Sequence, residues 1–247
     1  MPHRSDRKIG LARALSKLGY CSRSRATELI RAGRVTQNGR TRRDPETPVH
    51  SQDRLAVDGQ PVDTPAKIYL MLNKPRGVIT TASDEKGRKT VYDLLKNDGN
   101  WLAPVGRLDK ASEGLLLLTN DSEWGARIAA PGTHLDKTYH VQVATVAEEE
   151  FLRALMRGVS SQGELLRAKS ACLLRAGEKN CWLEIVLDEG RNRHIRRMLE
   201  TLHIEVLRLV RVAIGPLLLG TLAQGDFRPL TITEKRMLDR AMTGKQR

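Results

Sequence analysis

One loop carries the residues best placed to do chemistry, since Asp109 and Arg107 lie two positions apart just before Gly114 and the four leucines 115–118. Four consecutive leucines are too few for a helix and apolar on both faces, which predicts a buried central strand. That strand would hold Asp109 partly out of water, while Arg107 favours its charged form. Such a carboxylate suits a nucleophile or a base. An aspartate before a turn can equally cap a helix or pair with a nearby arginine.

Tyr139 is the second candidate, in the alternating stretch 137–143. A strand here places Tyr139, Val141 and Val143 on one face, so the tyrosine points inward. Enzymes that act on a base inside structured RNA take it out of the stack and hold it against an aromatic or apolar wall. Tyr139 can form that wall, or it can be ordinary strand packing.

A third group of candidates is the arginine-rich segment 191–197, which follows a predicted strand at 181–187. The segment leads into a predicted helix whose apolar stripe is Ile195, Met198, Leu199 and Leu202. Its arginines can bind phosphate at a helix N-terminus, balance the charge of Asp109 or form a solvated face. The segment alone does not choose among these roles.

The charge of the chain is strongly positive, with 42 Lys and Arg against 29 Asp and Glu, a net +13 over 247 residues. Most of that charge lies at the N-terminus, where residues 1–43 hold twelve basic and two acidic side chains, a net +10 that includes Arg4 and Arg7. Such a density predicts a polyanionic partner.

Cysteine and histidine usage argues against disulfides and metals. The three cysteines, Cys21, Cys172 and Cys181, are scattered without CxxC spacing, which indicates a reducing compartment such as the cytoplasm. The six histidines form no HxxxH or Cys/His cluster, so we expect no metal. No apolar run has the length of a membrane span, and the start does not read as a signal peptide.

The N-terminal residues predict a small folded module of two helices and a β-hairpin. Leucines 11, 15 and 18 repeat at helical spacing before Gly19, and a second helix runs from a serine cap at 22 or 24 to Gly33. Asn38-Gly39 is a strong hairpin signal, and a further strand at 55–57 precedes the turn Asp58-Gly59. Arginines lie at both ends of the second helix and along the hairpin, where they can contact phosphates.

Residues 8–62 resemble the S4 RNA-binding domain, through the pattern Leu-x-x-x-Leu-x-x-x-Gly-Tyr-Cys-Ser-Arg-Ser-x-Ala-x-x-Leu-Ile followed by Gly-Arg-Val-Thr-x-Asn-Gly. The resemblance by itself implies only binding to structured RNA. The arginines expected to do so are Arg23, Arg25, Arg31, Arg34 and Arg40.

The rest of the chain predicts an alternation of strands and helices. Strands are expected at 68–72 and 207–214, the first followed by a loop at 73–77 because Pro75 and Gly77 interrupt either ladder. Helices are expected after an Asp121 cap, at 148–157 and near 233–242, with residues 244–247 frayed.

Residues 106–121 are very similar to the active-site motif of the RsuA-like ribosomal RNA pseudouridine synthases. Further motifs of that family follow in order at 137–141, 189–198 and 207–230, and the first is matched at 73–78. One departure is His194, at a position where the family more often has Gln or Glu. The resemblance covers nearly the whole chain, with the S4 module included.

This resemblance implies the fold and the domain organisation. We expect an α+β protein with an S4 domain at 1–62, a linker at 63–67, and a catalytic domain at 68–247 built on a mixed, largely antiparallel sheet flanked by helices. The implied partner is ribosomal RNA or a ribosomal subunit assembly intermediate, bound by a monomer away from membranes. Large-subunit RNA is favoured over small-subunit RNA.

The resemblance also implies roles for individual residues. Asp109 is the catalytic carboxylate that breaks the C1′–N1 bond of uridine, either by attacking C1′ or by removing the 2′ proton. Tyr139 stacks on the uracil and assists proton transfer, and Arg196 pairs with Asp109. Substrate binding falls to Arg107, Lys137, Arg191 and Arg193. The chemistry needs no metal and no organic cofactor.

Two other functions are compatible with parts of the sequence. The chain could be a non-catalytic S4-type RNA-binding or ribosome-assembly factor, although intact Asp109, Tyr139 and Arg196 argue against this. Hydrolysis of a glycosidic bond would require a second carboxylate as acid or base. Glu113 is the only nearby candidate for it, and its place beside Gly114 suggests a structural role.

Overall fold

The structure is a computed structural model that describes residues 8–63, 65–81, 87–95, 101–133 and 135–243. The predictions made for Arg4 and Arg7, for Thr64 of the linker and for residues 244–247 lie outside the described residues. Two compact units are present. The first comprises the described residues up to 69 with 101–103 and 118–125, and the second comprises those in 70–95, 104–117 and 126–243.

The first unit begins with the two predicted helices, α1 (Leu11–Lys17) and α2 (Arg23–Arg31). The Oγ of Ser22 accepts a hydrogen bond from the backbone N–H of Arg25 at 3.1 Å, so Ser22 is the N-cap of α2. The leucine spacing of α1 and the apolar face of α2 form a buried core with Val35, Leu55 and Val57. Both helix predictions are confirmed.

Short strands complete this unit: β1 (Ile9–Gly10), β2 (Val35–Gln37), β3 (Arg40–Arg42), β4 (Pro48–Val49), β5 (Leu55–Val57) and β6 (Gln60–Pro61). They form a pair β1–β4 and a sheet in the order β3-β2-β5-β6. Asn38 and Asp58 have φ of 53° and 51°, and each is followed by a glycine with positive φ, as type I′ turns require. The predicted hairpin and third strand are confirmed.

The remaining strands are β7 (Tyr69–Lys74), β8 (Ala103–Val105), β9 (Glu113–Thr119), β10 (Lys137–Val143), β11 (Val159–Ser161), β12 (Glu164–Leu166), β13 (Ser170–Ala176), β14 (Cys181–Leu187), β15 (Val206–Ile214), β16 (Leu217–Leu218) and β17 (Phe227–Pro229). The helices are α3 (Ser122–Ala129), α4 (Glu149–Arg157), α5 (His194–Thr201) and α6 (Ile232–Thr243), with 3₁₀ turns at Val91–Leu94 and Pro131–Thr133. Between them lie the loops that carry most of the candidate site.

Within the described residues the large sheet has the strand order β13-β14-β10-β15-β9-β7-β17, with β8 beside β9 and β16 beside β15. Strand β10 runs antiparallel to both β14 and β15, whereas β15 runs parallel to β9. Every residue of β9 is buried, and its four leucines are wholly inaccessible. The sequence prediction of a mixed, largely antiparallel sheet with a buried central strand is therefore confirmed.

Most predicted bounds are within a residue of those observed, but the end of β7 is not, and the start of α5, which the sequence left open, is now defined. Asn73 and Lys74 belong to β7 rather than to a loop, because the N–H of Asn73 donates to the carbonyl of Asp226 and the Lys74 side chain is buried. The ladder ends only at Pro75, which has no N–H to donate. Helix α5 begins at His194, because Arg193 adopts a left-handed conformation with φ of 48° and cannot continue a helix backwards.

Candidate active site

A cavity of about 800 Å³ opens in the second unit, beside the loop that precedes β9. Its wall contains six of the seven predicted catalytic and substrate-binding residues: Arg107, Asp109, Lys137, Tyr139, Arg191 and Arg193. These residues come from three separate stretches of the chain, so the fold brings the predicted motifs together. Its size is that of a small-molecule or nucleotide site.

The loop that carries Asp109 starts at the end of β8, where Gly106 has a φ of 71°. Its own backbone closes a turn, since the N–H of Ser112 donates to the carbonyl of Asp109 at 3.0 Å. The carbonyl of Lys110 accepts a hydrogen bond from the N–H of Gly77 at 2.8 Å. Asp109 is partly buried, whereas Arg107 is exposed at the cavity wall. The carboxylate is thus presented by a loop that is fixed at its backbone.

Lys74 is a buried lysine beneath this loop that sequence reasoning missed. Its Nζ donates to the carbonyls of Ser112 at 2.7 Å and of Pro75 at 3.0 Å. Burial lowers the pKa of Lys74 to about 8, although the charges of Glu113 and Asp109 oppose the shift. No local signal marks this burial, because the carbonyl of Ser112 that accepts from Lys74 lies 38 positions further along the chain.

Gly114 lets two strands approach more closely than any side chain would permit. It has a φ of 99°, and a Cβ built there would lie 2.3 Å from the backbone oxygen of Arg211 on β15. Arg211 and Gly114 are partners in the parallel pairing of β15 with β9. A glycine is therefore required for both its conformation and its space.

Glu113 is held as a structural carboxylate. It is buried and accepts hydrogen bonds from the Nη2 of Arg208 at 2.8 Å and from the Nε2 of Gln224 at 2.7 Å. A carboxylate with its oxygens engaged in this way is poorly suited to act as a second acid or base. This arrangement agrees with the structural role expected from its position.

Tyr139 lies on β10, packs against the core cluster that contains Val141 and Val143, and lines the cavity. Its ring therefore faces inward, as the alternation of the strand predicts. Lys137 lines the same cavity and is partly buried. Its pKa is lowered, first by burial and then by the nearby charge of Arg211, while Asp136 and Asp188 oppose the shift.

Arg196 lies on α5 and is not among the residues that line the cavity. Its Nη2 donates to the carbonyl of Ala111 at 2.9 Å, two residues beyond Asp109. Burial lowers the pKa of Arg196, and the charge of Arg193 acts in the same direction, while the charge of Asp109 opposes both. Within the described residues its guanidinium makes no ion pair with Asp109. The guanidinium supports the loop by its backbone, and a pairing with the carboxylate stays a prediction.

The remaining predicted substrate-binding arginines stand at the cavity rim. Arg191 and Arg193 are exposed in the loop before α5, and the Nε of Arg191 donates to Glu189 at 2.6 Å. His194, the residue that departs from the family pattern, is buried at the start of α5, and burial lowers its pKa. The rim thus carries positive charge on flexible side chains.

The five predicted RNA-binding arginines are all exposed on the first unit. They differ in their partners, because Arg34 donates to Asp58 at 2.8 Å and Arg25 donates to Glu28 at 2.9 Å. In the described part of the chain, the guanidinium groups of Arg23, Arg31 and Arg40 have no carboxylate partner. These three arginines are free to meet an anion.

Comparison with known proteins shows which families the chain matches. The family described as RNA pseudouridylate synthase matches residues 68–201, and the S4 domain matches residues 9–55. A Bacillus subtilis protein named ribosomal large subunit pseudouridine synthase B is 39% identical over 230 residues, which cover 92% of this chain and 94% of that protein.

The chain belongs to the RNA pseudouridylate synthase family.

Other members of this pseudouridylate synthase family give the same result. An Aquifex aeolicus protein named as an uncharacterized RNA pseudouridine synthase is 36% identical, with 95% of each chain covered. A crystal structure of a pseudouridylate synthase superposes with a TM-score of 0.66 at 31% identity and covers 93% of this chain and 99% of its own. The protein is therefore an RNA pseudouridine synthase with an S4 domain, which converts uridine in RNA to its C5-linked isomer.

The described residues also bear on metal binding and on membrane insertion. No group of three or more His, Cys, Asp and Glu side chains among the described residues is arranged to hold a metal ion. None of the helices described here has the length and hydropathy needed to cross a membrane.

Proposed function

We propose that this synthase modifies a uridine of ribosomal RNA and that Asp109 is its catalytic carboxylate. The observation that carries the proposal is the cavity in which Asp109 and Tyr139 meet, lined by basic side chains. Large-subunit RNA is the proposed substrate, since the Bacillus subtilis relative at 39% identity is named for the large ribosomal subunit.

The reaction exchanges one bond between sugar and base for another. The C1′–N1 bond breaks with its electron pair remaining on the uracil, and Asp109 either attacks C1′ or removes the 2′ proton. The base then turns and C5 bonds to C1′; in the first route this displaces the Asp109 carboxylate from C1′, and in the second the 2′ proton returns to C2′. The C5 proton is then released and N1 takes up a proton. A base held in a closed pocket does not diffuse away between these steps.

The neighbouring residues stack on the base, support the Asp109 loop and bind the nucleotide. Tyr139 stacks on the extruded uracil and assists proton transfer, which its inward position on β10 supports. Arg196 steadies the loop through Ala111 and balances the charge of Asp109. Lys137 and Arg107 bind the target nucleotide, and Arg191 and Arg193 bind its flanking phosphates.

The N-terminal residues form the RNA-binding domain. We assign residues 1–62 to the S4 domain, 63–67 to a linker and 68–247 to the catalytic domain, which accommodates the matches at 9–55 and 68–201. The proposed partner is ribosomal RNA, free or within a subunit assembly intermediate, bound by a monomer in the cytoplasm. Arg23, Arg31 and Arg40 are the arginines best placed to contact phosphates, and Arg25 and Arg34 flank them.

The test is the Asp109→Asn variant, which removes the charge but keeps the shape of the side chain. We expect no pseudouridine in ribosomal RNA incubated with this variant. Its RNA affinity should be unchanged, because the N-terminal RNA-binding domain is intact. The control is Glu178→Gln, an exposed acid-to-amide change on a turn of the same sheet, which should retain full activity. Turnover by a folded Asp109→Asn protein would contradict the assignment.

The target is found by mapping pseudouridines in ribosomal RNA from cells with and without the gene. A site lost from large-subunit RNA on deletion supports the substrate assignment. A site lost only from small-subunit RNA would correct the substrate and leave the role of Asp109 untouched.

A further inference from the structure

Arg211 is a buried arginine to which the proposed function gives no role. It lies on β15, opposite Tyr139 of β10 on one side and Gly114 of β9 on the other. Its residue exposure is 6%, yet it lines the same cavity as Asp109 and Tyr139. The sheet therefore fixes this guanidinium beside the ring on which the base is proposed to stack.

The hydrogen bonding of Arg211 is incomplete. Its Nε donates to the carbonyl of Leu115 at 2.7 Å, which anchors the guanidinium on β9. Neither terminal amino group meets an acceptor within the described residues, and its Nη2 is buried. A buried donor without an acceptor is costly, so a group that accepts from it would stabilise the site.

The charge of Arg211 is equally unbalanced. No carboxylate in the described part of the chain lies within ion-pairing distance of it. A second cation, Lys137, lines the same cavity and is close enough for the charge of Arg211 to lower its pKa. Asp136, which is near Lys137, is already paired with Lys169 at 2.6 Å. Two neighbouring cations in a cavity wall favour an anion between them.

The location of Arg211 decides which anion fits. Backbone phosphates of a bound RNA meet the rim, where Arg191 and Arg193 are exposed, whereas Arg211 is sunk in the wall beside Tyr139. Uracil is neutral when it enters this part of the cavity. It becomes an anion when the C1′–N1 bond breaks, because the electron pair left on N1 spreads to the O2 and O4 carbonyl oxygens.

We propose that Arg211 is a further catalytic residue, which donates hydrogen bonds from its terminal amino groups to a carbonyl oxygen of the departing uracil anion. The proposal rests on the cavity being the active site. Arg211 transfers no proton, and the electron pair stays on the base until it forms the C1′–C5 bond. Lys137 adds positive charge to the same wall. A donor aimed at charge that develops only in the transition state accelerates the step without tightening substrate binding.

The first experiment replaces Arg211 by Gln and by Lys and measures single-turnover rate and RNA Kd separately. For Arg211→Gln we expect the rate to fall about 100-fold, the usual loss for one such donor, with Kd within about twofold. Arg211→Lys keeps the charge but lacks the forked guanidinium, so we expect its rate to lie between those of the native protein and Arg211→Gln. Arg175→Gln removes an exposed arginine of the same sheet and should leave both quantities unchanged.

The second experiment changes the leaving group. Fluorine at C5 withdraws electrons, so a 5-fluorouracil anion needs less help from the protein. We expect the loss caused by Arg211→Gln to shrink at least tenfold on RNA carrying 5-fluorouridine at the target, measured as single-turnover disappearance of that nucleoside. A merely structural role would give equal losses on both RNAs. If Arg211→Gln does not fold, the same comparison is made with Arg211→Lys.

The outcomes separate this proposal from the assignment of Asp109. Full activity of Arg211→Gln, a loss confined to Kd, or equal losses on the two RNAs would each overturn the role of Arg211 while Asp109→Asn stays inactive. Turnover by Asp109→Asn in the same assay would instead overturn the active-site assignment itself.

Discussion

Arginines in two regions of this molecule bind their surroundings in different ways. On the first unit Arg23, Arg31 and Arg40 are exposed and have no carboxylate partner among the described residues. In the second unit, Arg196 beneath the Asp109 loop and Arg211 in the cavity wall donate to backbone carbonyls of the segment that carries Asp109 and β9. We expect the exposed group to attract a polyanion through screened, long-range forces, whereas Arg196 and Arg211 are held in a fixed geometry by their backbone partners.

This contrast teaches that one residue type can supply affinity in one place and orientation in another. We expect RNA affinity to fall only slightly when one exposed arginine is removed, because neighbouring charges continue to attract RNA. Cavity residues act as a unit, since a displacement of about 1 Å can cost about 100-fold in rate. This contrast would be wrong if RNA affinity depended on the exact geometry of the arginines on the first unit. It would also be wrong if the catalytic rate depended only on the charge of the cavity residues.

The largest effect is expected from Gly114→Ala, which tests whether the cavity geometry is fixed. The new methyl group meets the Arg211 backbone oxygen at 2.3 Å and occupies an unfavourable φ of 99°. We expect unfolding to become easier by on the order of 4 kcal/mol, and activity of the folded fraction to fall about 100-fold. Denaturant titrations measure the free energy of unfolding, and single-turnover assays measure the activity.

The matched change is Gly163→Ala, in the β11–β12 hairpin. Gly163 has a φ of 79° and open space around its Cα, so only backbone strain is added there. It should cost about 1 kcal/mol and leave turnover unchanged. Equal effects of the two substitutions would show that the close approach of β9 and β15 is unimportant.

The lowered pKa of Lys74 predicts that the stability of the protein depends on pH. Its pKa is about 8 in the folded protein and 10.5 when unperturbed, so the unfolded chain binds more protons between these values. Stability conferred by this group therefore rises as the pH increases from 8 towards 10.5. Relative to Lys74→Met, the free energy of unfolding of the native protein should increase across that range by on the order of 3 kcal/mol.

The measurement is a pair of denaturant titrations at several pH values, in which groups common to both proteins cancel. A constant difference between the two proteins would mean that Lys74 keeps an ordinary pKa. In that case its hydrogen bonds to Ser112 and Pro75 would be its whole contribution.

The smallest effect is expected on the first unit, where charge should matter more than geometry. Replacing Arg23, Arg31 and Arg40 together by Gln should weaken RNA binding roughly tenfold and lower the slope of log affinity against log salt by about 2–3. Activity at saturating RNA should not change. Binding titrations at several salt concentrations test this.

The double change Arg34→Gln with Asp58→Asn removes a paired charge of each sign, so affinity should stay within about twofold. A larger loss would mean that Arg34 leaves Asp58 to read the RNA directly. The difference between the two regions would then be one of degree.

Local signals were enough to predict most elements. The Asn38-Gly39 turn, the Ser22 cap and the leucines of β9 each specify structure within a few residues, and the structure has all three. The cavity that gathers Asp109 and Tyr139 was anticipated through ordered motifs rather than through physics. Their individual roles remain proposals.

What escaped prediction depends on distant partners. The burial of Lys74 and Arg211 was not predicted, and only the fold places carbonyls of Ser112 and Leu115 within their reach. The edge strand β13 has six of its seven residues exposed, so neither of its faces is covered along most of its length and its exposure does not alternate. The carbonyls that accept from Lys74 and Arg211 lie 38 and 96 positions away in sequence, which no local pattern records.

The parallel junction between β9 and β15 sets an order of events during synthesis. Residues 8–62 contain a core of their own, and the described part of the first unit is complete once residue 125 is available, whereas the wall beside Tyr139 is missing until residues 206–214 are available. A growing chain would thus acquire its grip on RNA well before it could alter a nucleotide. A truncated product would occupy the target without modifying it.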